Sequence, residues 1–162
     1  MKFGRVEGPI MAQGVLVYRP EEYSFAVEGN SVSGVTSLLL DDLQLETDRE
    51  GRLLYPWGLC PHTMWRSTTA MPPPYSQGAV RAIAENELTP GVSWRVPHVG
   101  RWPVSVNQGA GWVCVGDPKQ VGATREAIEI LPGCVVVLNG NQLGGLWLRP
   151  RVLPTLTGGA GQ

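Results

Sequence analysis

In the segment LQLETDREGRLLY, Leu43 and Leu45 alternate with Asp42, Gln44 and Glu46, a period of two that sets one face inward and one outward. Asp48-Arg49-Glu50-Gly51 is a polar loop ending in a glycine suited to positive φ, and residues 52–55 resume as the return strand, so a hairpin is predicted. WPVSVNQGAGWVCVG predicts a second hairpin, with Trp102, Val104 and Val106 on one face and a turn over 107–111. Pro103 lacks a ladder donor, which places its strand at an edge or a bulge. CVVVLNGNQLGGLWL predicts a third, turning at Asn139-Gly140, the pair suited to a type I′ turn. Val135 to Leu138 are apolar without alternation, which predicts a central strand covered on both faces.

Shorter strands are expected at 2–7, 14–19, 23–29 and 92–96. Helical spacing occurs once, in SQGAVRAIAENELTPG, where Val80, Ile83, Ala84 and Leu88 share a face and Thr89-Pro90-Gly91 would end the helix. The same segment also alternates through Val80, Ala82 and Ala84, as a strand would. The expected fold is all-β and mainly antiparallel: a small β-barrel or two-sheet sandwich with one short helix and a long flap rich in Pro and Trp. Residues 1–154 are read as one β-rich domain and 155–162, which includes GGAG, as a flexible tail.

The flap is the segment 56–75, within LYPWGLCPHTMWRSTTAMPPPY. Pro56, Pro61 and Pro72 to Pro74 argue against a regular ladder through it. Trp57, Met64, Trp65 and Met71 argue against disorder, so an ordered flap over one end of the β structure is expected, as a pocket lid or as plain closure.

Composition narrows the function classes. The 162 residues carry 13 basic and 14 acidic side chains, a net charge of −1, which gives no footprint for a phosphate backbone and excludes nucleic acid. Eleven of the basic residues are Arg, several beside Trp, and Arg suits planar contacts with carboxylates and aromatic faces. Cys60, Cys114 and Cys134 are odd in number and widely spaced, without a CxxC. With neither a leader-like segment nor a membrane-length apolar run, they set the expectation of a cytoplasmic protein that makes no membrane contact.

Candidate chemistry centres on the flap. Cys60, His62 and His98 could join a carboxylate as metal ligands, but no fourth ligand announces itself, and no metal or cofactor is expected. Cys60 as a nucleophile lacks a recognisable surrounding signature. Acid–base work fits better: His62 and His98 for proton transfer and Tyr55 as a hydrogen-bonding partner. Trp57, Trp65 and Trp102 would form walls, with Tyr75 and Arg95 as further substrate contacts. Among the acids, Asp41 and Asp42 are read as solvated where the strand begins, with one of them pointing inward as the alternative, and Glu126 and Glu129 flank Ile128.

The functional expectation is a pocket for a small apolar or aromatic organic molecule under the flap, with isomerisation, cyclisation or hydrolysis by acid–base chemistry. The alternative is a non-catalytic protein that assembles as a homo-oligomer or within a larger complex. Low charge, 17% of residues, suits buried interfaces. No stretch carries a recognisable family motif.

Overall fold

Alternation governs most of the chain, and the result is two facing β-sheets. The structure is a computed structural model describing residues 1–10, 12–30, 32–83, 90–97, 100–118 and 126–156. Its strands are β1 (Lys2–Val6), β2 (Val15–Arg19), β3 (Ser24–Glu28), β4 (Thr36–Leu40), β5 (Leu43–Thr47), β6 (Leu53–Leu59), β7 (Arg66–Ser67) and β8 (Ser76–Gln77). They continue as β9 (Ala79–Ile83), β10 (Trp94–Arg95), β11 (Val104–Asn107), β12 (Trp112–Val115), β13 (Glu126–Leu131), β14 (Cys134–Asn139) and β15 (Gln142–Leu148). One sheet runs β10-β4-β5-β6-β3-β2 and the other β7-β11-β12-β15-β14-β13-β8. The fold is a two-sheet sandwich, without the closure of a barrel.

The core lies between the sheets. Leu16, Phe25, Leu38, Leu45 and Leu54 from the six-stranded sheet meet Val113, Val115, Ile128, Val136, Leu146 and Leu148 from the seven-stranded one. β1 and β9 form an antiparallel ribbon that ties the two layers together at one end. The Phe3 N–H reaches the Asn141 carbonyl at 2.7 Å, and the Ala82 N–H reaches the Gly51 carbonyl at 2.8 Å.

All three predicted hairpins form. In the first, Asp48 organises the loop: its Oδ1 accepts the N–H groups of Glu50 and Arg52, each at 2.9 Å, and Gly51 takes φ +83. The third hairpin differs in detail. Asn139 pairs with Gln142, so the loop is Gly140-Asn141, and only Gly140 has positive φ, the glycine-first pattern of a type II′ turn. β14 is central and buried on both faces, as its unbroken apolar run requires. β11 carries only the two-residue β7 on its outer side and begins just after Pro103.

Three expectations are corrected. Helical spacing over 76–88 gives way to β8 and β9: Val80 and Ala82 are buried and Arg81 and Ile83 exposed, so period two wins through residue 83, and 84–89 lie outside the described residues. The described helical structure consists of two short 3-10 turns, Pro20–Glu22 and His62–Met64. Pro56 does not stop β6, which runs to Leu59. There β6 has β5 on one side only, because β3 pairs just with Gly58 and Leu59, so the missing donor faces no lost ladder on that side. Asp41 and Asp42 are not strand residues but the two-residue loop between β4 and β5.

The flap divides into two parts. Residues 59–66 roof a cleft at one end of the sandwich. Residues 68–75 form a strap over the outer face of the seven-stranded sheet, where Ala70 packs on a second buried cluster containing Trp112, Val135, Val137 and Trp147. One stretch of the flap thus covers the cleft and the next covers the outer face of the sheet. Beyond β15, the Arg151 N–H bonds to the Leu16 carbonyl at 2.9 Å, and residues 157–162 lie outside the described residues.

Candidate ligand-binding cleft

The cleft is built from three pieces of chain that are distant in sequence. The first is the β4–β5 loop. Asp41 takes φ +56, a left-handed conformation that Asp tolerates better than most residues. Its Oδ2 accepts the backbone N–H of Trp102 at 2.7 Å, which anchors the second piece, residues 101–104.

The third piece is the roof, where β6 ends and the 3-10 turn His62–Met64 begins. The Tyr18 hydroxyl, buried beneath it, donates to the Cys60 carbonyl at 2.7 Å and accepts the His62 N–H at 2.9 Å. The Cys60 N–H in turn reaches the Tyr23 carbonyl at 2.8 Å. Trp65 is buried, stacked near-parallel to Phe25 at 6.0 Å between ring centres and tilted against Tyr18 at 4.9 Å.

Between these pieces lies a cavity of about 420 Å3, in the range of small-molecule sites. Leu40, Leu43, Leu59, Cys60, Pro61, Met64, Trp65, Trp102, Pro103, Val104 and Val115 give it a mostly apolar lining. Four charged residues join them: Asp41, Asp42, Arg66 and Arg101.

The electrostatics argue against thiol chemistry. Burial pushes the Cys60 thiol up to about 11, and the nearby Trp65 indole only tempers this. That N–H makes no geometric hydrogen bond, so its influence on the sulfur is a weak one. At neutral pH Cys60 is a protonated, apolar lining group. Among the described residues no three His, Cys, Asp or Glu side chains gather as metal ligands.

Of the residues expected at a site, Trp65 and Trp102 line this cleft. His62 sits beside it, off the lining: its Nδ1 lies 3.3 Å from the Tyr18 hydroxyl, its ring stacks on Tyr23 at 5.5 Å, and it stands edge-on to the wall residue Trp65 at 6.3 Å. Tyr55 and Trp57 are on the outer face of the six-stranded sheet, bordering a separate shallow depression. There the Trp57 Nε1–H donates to Glu46 at 2.8 Å, and burial raises the Tyr55 pKa, with the Glu46 charge adding to it. Arg95, in β10, pairs beside Leu39. Tyr75 belongs to the strap, edge-on to Trp112 at 6.0 Å. Glu129 bonds to the Gly133 N–H and Glu126 stands 4.0 Å from Arg5, neither on the cleft. His98 lies outside the described residues.

Sequence reasoning did not single out Tyr18, Arg66 or Arg101 for this site. The Trp65-Arg66 and Arg101-Trp102 pairs were the available signal, since each places a guanidinium next to a wall residue. No family model, curated protein or solved structure matches this chain.

Proposed function

We propose that this protein binds a small organic molecule, largely apolar or aromatic, in the cleft roofed by residues 59–66. The observation that carries the reading is the enclosure of about 420 Å3 between Trp65 and Trp102, from chain segments fixed by Tyr18 and Asp41. Indole walls offer large apolar area at low conformational cost, and a preformed roof lowers the ordering penalty of binding. The reading is of binding: among the described residues expected to move protons, His62 and Tyr55 do not line the cleft. Three buried, unpaired thiols support a reducing, cytoplasmic setting. No helix among the described residues is long and apolar enough to cross a membrane.

The test is native mass spectrometry of protein taken directly from its own cell extract, beside a Val104→Phe variant that fills the cleft from its wall. A small molecule carried by the parent and absent from a variant with an unchanged circular dichroism spectrum supports the reading. An empty parent that also shows no tryptophan fluorescence change across an aromatic fragment set refutes it.

A second reading has its own observation. Val15, Trp57 and Leu59 are exposed at 43%, 38% and 51% on the six-stranded sheet, the chemistry of a face that pairs with a second copy. A Trp57→Lys, Leu59→Glu double variant that turns a dimer into a monomer in sedimentation supports it, and a monomeric parent rules it out.

A further inference from the structure

The charged groups around the cleft are unequally engaged. Asp41 is committed to the Trp102 N–H. Asp42, its loop neighbour, is exposed to solvent. Arg66 and Arg101 approach from different walls: Arg66 follows Trp65 at the end of the roof, and Arg101 precedes Trp102 opposite it. Neither guanidinium meets a hydrogen-bond acceptor or an acid among the described residues.

That is unusual within this chain. Arg5, Arg19, Arg52, Arg81 and Arg151 all bond to acids, a hydroxyl or carbonyls, and Arg149 lies over the Trp112 ring at 5.7 Å. Arg49, Arg66, Arg95 and Arg101 are the described arginines without such a partner. Two of these four line one apolar cavity, where Asp41 and Asp42 balance their formal charge but neither accepts from them, so two guanidinium forks are left with open donors.

We infer that the ligand is an amphiphilic carboxylic acid, its apolar body between Trp65 and Trp102 and its carboxylate at the mouth between Arg66 and Arg101. This rests on the binding reading above. A guanidinium fork matches the two oxygens of a carboxylate, and the charged hydrogen bonds so formed are stronger than neutral ones. Placement at the mouth matters as well. A carboxylate there keeps part of its hydration while the body is buried, which avoids the cost of drawing an ion into an apolar interior.

The experiment is isothermal titration of the full chain with three probes that share one apolar body: naphthylacetate, naphthylacetamide and naphthylethylamine. Naphthylacetate is expected to bind at least about tenfold more tightly than the amide, with the advantage falling below about threefold in Arg66→Gln and Arg101→Gln. Both arginines are exposed, so the substitutions leave the core untouched. Amide binding equal to that of the acid, or preferred binding of the amine, overturns the carboxylate assignment and leaves the cleft reading standing. Acid binding that survives both substitutions unchanged also overturns it. Absence of binding by all three probes overturns both.

Discussion

The hydroxyl of Tyr18 donates to the carbonyl of Cys60 at 2.7 Å, holding the roof of the cleft to a strand 42 residues earlier in the chain. The same oxygen accepts the His62 N–H, so one buried hydroxyl satisfies two backbone groups at the bend where β6 ends. Tyr18→Phe keeps the ring packing on Phe25 and Trp65 but leaves both backbone groups unpaired. The expected cost is about 1–3 kcal/mol, read as a lower melting temperature. Faster hydrogen exchange at the His62 amide would place the loss at the roof, and unchanged exchange there would contradict this account.

Asp41 combines a left-handed backbone with an acceptor for Trp102, and the two roles separate by substitution. Asn tolerates the backbone and retains an acceptor, Gly relieves the backbone but loses the acceptor, and Ala fails on both counts. Urea unfolding should rank stability as Asp41→Asn above Asp41→Gly above Asp41→Ala. Ala is expected to cost about 2–4 kcal/mol from strain and a lost charge-assisted bond. An Ala variant as stable as the Asn one would refute the role assigned to the loop.

Burial raises all three thiols, Cys60 to about 11 and Cys114 to about 12, from an ordinary 9.0, with Cys134 raised as well. The folded protein therefore holds thiol protons that the unfolded chain has already released above pH 9. Stability conferred by the protonated thiols is full below that point and is lost as pH rises from about 9 towards 11. Chemical denaturation between pH 7 and 11 should show a plateau followed by a fall. At pH 8, the native protein should react with a thiol reagent far more slowly than the denatured one.

Asn107 serves the strap and a turn together. Its Nδ2 donates to the Ala70 carbonyl at 3.0 Å, and its Oδ1 accepts the Ala110 N–H at 3.1 Å. Asn107→Ala should destabilise by about 1–3 kcal/mol and make residues 68–75 susceptible to limited proteolysis. A strap as resistant as in the parent would show that other contacts, such as Tyr75 against Trp112, hold it without Asn107.

The hairpins were readable because their determinants are local: Asp48 and Gly51 sit inside the loop they shape, and Val135 to Leu138 reveal two buried faces within four residues. Pro56 misled because its tolerance depends on where β3 stops, a tertiary fact. Val80 and Ile83 suited a helix equally well, and pairing with β1, some 75 residues away in sequence, decided for a strand. The site was half visible for the same reason. Trp65 and Trp102 declare themselves as large apolar groups, whereas Asp41 at a left-handed turn carries no glycine to mark it. Of the neighbours of the His62 ring, Trp65 is near in sequence, but Tyr18 and Tyr23 come from a distant stretch of chain and could not be read locally.

The strap has one further consequence. It leaves the roof as β7, alongside β11 at one border of the seven-stranded sheet, and arrives as β8, alongside β13 at the opposite border. A single stretch of chain thus shields both exposed hydrogen-bonding rims of the larger sheet, the sites at which one β-protein templates the aggregation of another. One cut within residues 68–75 would loosen both guards at once, baring β11 and β13 to pairing with another chain.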